Sequence, residues 1–315
     1  ANWNGTVPTI TYTTNTGSNS TLDIKVTPEP VINITADPAV AIEGETTGVV
    51  FHIAQTAAGA QDSTVVFKLD LGELETDDIQ SITYTDTAGV AHTVSLAEAL
   101  AGITISIPLG TTAANMPTIA VVPVNDTIYE KSENFSATIS TPKGANIGTA
   151  SASGTIIDED NPNTTDATDD GDKPTLNIAA TDATATEGVA DDVLVYQVSQ
   201  TNPSNFDTVA HVSLSGAVSA ADVAQIVYTD ANGAVQTVTD PAAIQALFTN
   251  GFDVKIPKGA TTAPAITITP VDDDVYEKSE DLVLSISTTS DVTAGTMSAS
   301  GTIIDEDNPN TTDAT

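Results

Sequence analysis

SASGTIIDEDNPNTTDAT, residues 151–168, recurs without a change as residues 298–315. The offset of 147 residues (298 − 151) is far longer than a solenoid turn and matches a whole domain. Tyr129–Glu133 (YEKSE) returns as Tyr276–Glu280 at the same offset, and Tyr84-Thr85-Asp86 as Tyr228-Thr229-Asp230 at 144 (228 − 84). Ile107-Pro108 returns as Ile256-Pro257 at 149 (256 − 107). Offsets that drift by a few residues are those of two copies of one fold with different loop lengths. The sequence therefore reads as a tandem array. Because it stops inside a second copy of its own linker, the array is expected to continue past Thr315.

The 315 residues leave room for two domains, each large enough to bury a core without staples. There is no cysteine, so neither a disulfide nor a thiolate metal site is available. No run of about eighteen apolar residues exists to span a bilayer. No basic, apolar leader begins at Ala1, so a secretion signal is expected outside this stretch. Acidic residues number 43 against eight lysines, for a formal net charge of −35. Such a balance excludes ordinary nucleic-acid binding, which needs a basic face for phosphates. The carboxylates gather into a few dense runs that repeat, a pattern that favours multivalent cation binding over solubility alone.

Short runs rich in Thr, Val and Ile alternate between apolar and polar residues and are separated by Gly, Pro, Asn and Asp. Val65–Leu69, Ile103–Ile107 and Phe135–Ile139 in the first copy, and Val212–Leu214, Ala265–Thr269 and Leu282–Ile286 in the second, are examples. Period-two patterning at this spacing predicts an all-β chain of tandem Greek-key, immunoglobulin-like sandwiches. One helix is expected in each. Ser95 to Gly102 has an N-cap serine, Glu98 three residues on and a closing glycine; Asp240-Pro241 opens its counterpart. The expected organisation is a terminal hairpin of a preceding module over 1–30, with strands Thr9–Thr13 and Leu22–Val26. A sandwich over 31–160, an acidic linker over 161–174, a second sandwich over 175–307 and the start of a further linker over 308–315 follow.

Three acidic features recur in one order. Glu-Gly follows the first strand, at Glu43-Gly44 and Glu187-Gly188. An acidic turn precedes the penultimate strand, at Asn125–Glu133 and Asp272–Glu280. The last strand then runs into Asp158-Glu159-Asp160 or Asp305-Glu306-Asp307. Loops at one end of a sandwich can bring such carboxylates together, and calcium takes six to eight hard oxygens of this kind. His52, His92 and His211 lie far apart, which disfavours a soft-metal site. Tyr129 and Tyr276 read as packing residues, and Glu133 and Glu280 as surface partners of Lys131 and Lys278.

The order Glu-Gly, then Asp-x-x-Tyr-Glu-x-x-Glu, then Gly-Thr-Ile-Ile-Asp-Glu-Asp resembles the Calx-β motif of sodium–calcium exchangers and large bacterial surface proteins. The absence of cysteine, the acidity, the inserted helix and the Thr/Ala/Asp-rich linkers are similar to extender repeats of repeats-in-toxin adhesins of the Lap type. The resemblance implies calcium as the bound ion, export by a type I secretion system and a place on the bacterial cell surface. Carried over by position, the implied ligands are Glu43, Asp126, Glu130, Asp158, Glu159 and Asp160. In the second copy they are Glu187, Asp272, Asp273, Glu277, Asp305, Glu306 and Asp307. Asn125 and Thr127 stand where the second copy has Asp272 and Asp274, so the first copy is expected to bind fewer ions or to bind them more weakly.

The function expected is that of a calcium-rigidified stalk projecting a distal adhesive domain. Its partners are calcium ions and neighbouring repeats of the same chain, and it is a monomer without nucleic acid or membrane insertion. The alternative is a calcium-dependent sugar- or peptide-binding module; the 4% aromatic content, spread over both copies, argues against it. An enzyme is disfavoured, because the acids are duplicated, lie in turns and lack a nucleophile–base pair.

Overall fold

In a computed structural model of the chain, the described residues are 5–6, 9–17, 19–22, 25–26, 29–57, 61–158, 172–273 and 277–305. The chain divides into two compact units, residues 1–126 with 132–159, and residues 127–131 with 160–315. No described helix is long and apolar enough to cross a membrane.

Ahead of the first sandwich, β1 (Gly5–Thr6) pairs antiparallel with β4 (Lys25–Val26), and β2 (Ile10–Thr13) with β3 (Asn19–Leu22). The returning strand thus starts at Asn19, earlier than alternation alone indicates. Gly17 takes a left-handed φ of 78° and donates its N–H to the Thr14 carbonyl at 3.0 Å, so the chain reverses there.

The first sandwich contains β5 (Val31–Ala36), β6 (Val40–Ile42), β7 (Val49–Gln55), β8 (Ser63–Asp70), β9 (Ile79–Thr85) and β10 (Ala91–Val94). After α1 (Leu96–Ala101) come β11 (Ile103–Ile107), β12 (Thr118–Pro123), β13 (Glu133–Lys143), β14 (Asn146–Ile147) and β15 (Ser151–Ile157). One sheet has the order β10-β9-β12-β7-β5-β14, the other β11-β8-β13-β15-β6. Alternation places Val65, Phe67 and Leu69 of β8 inward, against Phe51 and Phe135. The Phe51 ring lies 5.9 Å from Phe67 and 5.8 Å from Phe135, in tilted and edge-on contacts.

The second unit repeats this plan strand for strand. It runs β16 (Thr175–Asp182), β17 (Thr184–Thr186), β18 (Leu194–Gln200), β19 (Thr208–Gly216), β20 (Val223–Thr229), β21 (Val235–Val238) and α2 (Pro241–Asn250). It ends with β22 (Phe252–Ile256), β23 (Ile266–Pro270), β24 (Glu280–Ser287), β25 (Thr293–Ala294) and β26 (Ser298–Ile304). The orders β21-β20-β23-β18-β16-β25 and β22-β19-β24-β26-β17 match those of the first unit. The helices start where their caps require: Ser95 and Glu98 close a capping box, and Asp240 caps α2 with Pro241 in its first turn.

The terminal strands decide where the carboxylates lie. β5 is parallel to β14 and β6 to β15; β16 is parallel to β25 and β17 to β26. The incoming and outgoing segments of each sandwich therefore run in the same direction. The chain enters at one end and leaves at the opposite end.

Candidate metal centre

In the second unit the carboxylates collect at the end where the chain leaves. Thr186 and Ile304 are the last register partners of β17 and β26, and Glu187 and Asp305 follow them directly. The Glu187 N–H donates to the Ile304 carbonyl at 3.0 Å, which fixes the two acids side by side, and both are buried. Asp305 also accepts from the Glu277 N–H. Asp222, just before β20, accepts from the Ser219 N–H at 2.7 Å, and its carbonyl accepts from the Val271 N–H at 2.9 Å. That second bond sets it beside the acidic turn that follows β23. Glu280 opens β24 opposite Ile303 and hydrogen-bonds Asp222.

The charges in this cluster act on one another. Burial pushes the Glu277 carboxyl above the ordinary glutamate range, and the charges of Asp222, Asp273 and Asp305 push it further. Glu280 is raised by burial and then by Asp222 and Glu277. Three acids from separate segments, Asp222, Asp273 and Asp305, thus act on Glu277, and Asp222 and Glu277 act on Glu280.

The first unit brings together the corresponding pair. One carboxylate oxygen of Asp78 lies within 4.8 Å of one of Glu133, and both residues are buried. Glu130, on the stretch 127–131 that groups with the second unit, is itself buried. Asp78 matches Asp222 in detail: it accepts from the Glu75 N–H, and its carbonyl accepts from the Val124 N–H at 2.8 Å. Burial raises its pKa, with smaller upward contributions from Asp77 and Glu75. Glu43 and Asp158 are buried beside each other after β6 and β15, and the Glu43 N–H donates to the Ile157 carbonyl at 3.0 Å.

Of the residues expected as ligands, Glu43 with Asp158, and Glu187 with Asp305 and Glu277, are brought together at the outgoing ends. Glu130 is buried on the stretch 127–131, and Asp126 is half-buried just before it. Asp272 and Asp273 are exposed, and only the charge of Asp273 reaches Glu277. Glu159, Asp160, Glu306 and Asp307, together with Asp274 and Tyr276, lie outside the described residues. Tyr129 is buried. The sequence reading missed Asp78 and Asp222. Each stands six residues before the tyrosine of the repeated Tyr-Thr-Asp, so the same offset of 144 that links those triplets would have exposed them. Glu133 is also corrected: it is buried beside Asp78 instead of lying at the surface. Glu280, its counterpart, is half-buried against Asp222.

The donor set consists of carboxylate oxygens from loops, with no imidazole or thiolate. It fits a hard divalent cation such as calcium and does not fit a soft metal. The three histidines are engaged elsewhere: His52 with the Asp37 carbonyl at 2.8 Å, His92 with Asp86 at 2.9 Å and His211 with Asp253 at 2.7 Å.

The Calx-beta domain family matches residues 111–160 and 243–307, which in each copy run through the acidic turn and the last strand. Among solved structures, the calcium binding domain CBD12 of CALX1.1 overlaps 86% of this chain and 99% of its own, at 9% identity and a TM-score of 0.29. The apo-form Calx CBD1 domain overlaps 41% of this chain and 99% of its own, at 16% identity and a TM-score of 0.27. A type II cohesin dyad from the ScaA scaffoldin of Acetivibrio cellulolyticus overlaps 87% and 98%, at 10% identity and a TM-score of 0.24. The assignment of the fold rests on the strand pairing above. No curated protein sequence matches the chain.

Proposed function

We propose that this chain is part of a calcium-rigidified stalk of a large bacterial surface adhesin, holding a distal binding domain away from the cell. The observation that carries the reading is the polarity of each sandwich. The chain enters at one end and leaves at the other, and the carboxylates gather at the outgoing end of both copies. Units of this kind can be strung end to end, with a cation-binding group at each point of departure. Asp78, Glu133, Glu43 and Asp158 would hold calcium in the first unit; Asp222, Glu277, Glu280, Glu187 and Asp305 would do so in the second. Bound calcium supplies positive charge that cancels the repulsion among these acids. The Calx-beta matches over the same stretches support the choice of ion.

Two measurements test the proposal. Calorimetric titration of the chain with calcium should show several sites, and magnesium, which gives up its waters reluctantly, should compete poorly. Small-angle scattering should give a longer and stiffer particle in calcium than in chelator. No calcium uptake would remove the ion from the reading, whereas uptake with an unchanged scattering profile would remove the stalk and leave a binding module.

A further inference from the structure

The incoming and outgoing segments of each sandwich are tied together along their length. In the first unit Asn146 N–H donates to Pro30 (2.8 Å), Gly148 to Ile32 (2.9 Å), Thr155 to Ala39 (2.9 Å), Ile34 to Thr149 (3.1 Å) and Glu43 to Ile157 (3.0 Å). The second unit repeats all five: Thr293 to Pro174 (2.8 Å), Gly295 to Leu176 (3.0 Å), Thr302 to Ala183 (2.8 Å), Ile178 to Thr296 (2.8 Å) and Glu187 to Ile304 (3.0 Å). A sixth bond is made by a side chain. The Asn33 amide oxygen accepts the Thr149 N–H at 2.7 Å, and Asn177 does the same for Thr296 at 2.8 Å. Glycine is required beside it, because a Cβ on Gly148 or Gly295 would stand 2.3 Å from that oxygen.

The bonds cross between two segments that run in parallel, one leading in and one leading out. Tension along the chain draws the start of the incoming segment one way and the end of the outgoing segment the other. The two then slide past each other, and the bonds are loaded together across their length. If the outgoing strand is lifted from its free end instead, the bonds break one after another. We propose that each sandwich is a load-bearing link, in which this parallel ladder, completed by Asn33 and Asn177, resists tension applied through the chain. The proposal concerns the ladder and does not depend on the calcium reading.

Single-molecule pulling on the 315-residue chain tests it, and the absence of native cysteine allows unique thiol handles. One geometry pulls on the two termini. The other pulls between Val189→Cys, at an exposed residue just beyond Glu187, and the C-terminus, so that β26 is peeled from its outgoing end. Forced unfolding reports the unfolding barrier, so the terminal geometry should need at least about twice the force of the peeling geometry. That order should persist in chelator. The pair Asn33→Ala and Asn177→Ala should lower the terminal force and leave the peeling force unchanged. Circular dichroism confirms that the variant is folded, and the comparison of geometries on the unsubstituted ladder needs no variant at either asparagine. Equal forces in the two geometries overturn the proposal. Forces that become equal only in chelator also overturn it, since the strength would then belong to the ion, and the calcium reading would stand.

Discussion

At the residue scale the carboxylates of the outgoing ends act against the fold when they are ionised together. Asp78, Glu277 and Glu280 all have pKa values raised by burial. A carboxyl raised in this way stabilises the folded state while protonated. That contribution is complete below its unfolded pKa and is lost as the pH rises through its folded one. In chelator, therefore, the melting temperature should fall as the pH climbs from the ordinary carboxylate range, about 4 to 4.5, toward neutrality. Asp207, Asp230 and Asp291 are lowered by hydrogen bonds, so their contribution is present throughout that window and is lost only as the pH drops below it. A flat melting profile in chelator across that window would refute the claim. Asp222→Asn gives a second test with opposite signs: it should raise the melting temperature in chelator, yet weaken calcium binding by at least about tenfold. The acids fixed by strand ends, such as Asp158 and Asp305, were legible because the repeated Gly-Thr-Ile-Ile runs straight into them. Asp78 and Asp222 were not. Each is joined to the site by contacts far away in sequence, a carbonyl bond to the residue after β12 or β23 and a side-chain bond to Glu133 or Glu280, which leave no local pattern.

At the scale of elements, capping signals carried the most information. Ser95 accepts from the Glu98 N–H at 3.3 Å, and Glu98 returns the bond to the Ser95 N–H at 2.9 Å. Ser95→Ala should lower stability by about 1 kcal/mol in urea unfolding of a first-unit fragment or of the whole chain. Strand existence was equally plain from alternation. The splitting of each incoming segment between two sheets was not, because β5 and β6 form one apolar-polar run broken only by Asp37-Pro38-Ala39, and their parallel partners lie more than a hundred residues away. Core detail also differs between copies that look alike. Gly154 lies under the Phe135 ring, whereas Gly301 lies under the hydroxyl of Tyr196, which donates to the Leu282 carbonyl at 2.8 Å. Burial pushes the Tyr196 phenol up to about 12, so it remains a donor throughout the physiological range. A Cβ on Gly301 would stand 2.7 Å from that hydroxyl, so Gly301→Ala should cost about 1–3 kcal/mol by overpacking, read from the urea midpoint. An unchanged midpoint would mean that the strand shifts freely, contrary to its place between β17 and β24.

For the molecule as a whole, a formal charge of −35 over the cysteine-free chain makes stability depend on counterions. A site held at 100 times its dissociation constant adds about 2.7 kcal/mol when the unfolded chain does not bind. With about 4–8 °C per kcal/mol for small domains, millimolar calcium should raise melting by more than about 10 °C. Differential scanning calorimetry with calcium and with chelator measures this directly, and a shift of a degree or two would contradict it. Sodium chloride in chelator should recover only a small part of the gain, since it screens exposed charges better than buried ones.

The identity of β15 and β26 reaches beyond the folded state. Both read SASGTII and bury the same alternate residues, and both place a glycine where a large side chain of their own unit packs. Each strand therefore offers the other unit's core an acceptable fit. A newly made chain must choose between two interchangeable closing strands, and the wrong choice exchanges elements between neighbouring copies. Refolding of the tandem chain should accordingly show a slow, concentration-independent misassembled fraction that an isolated copy lacks.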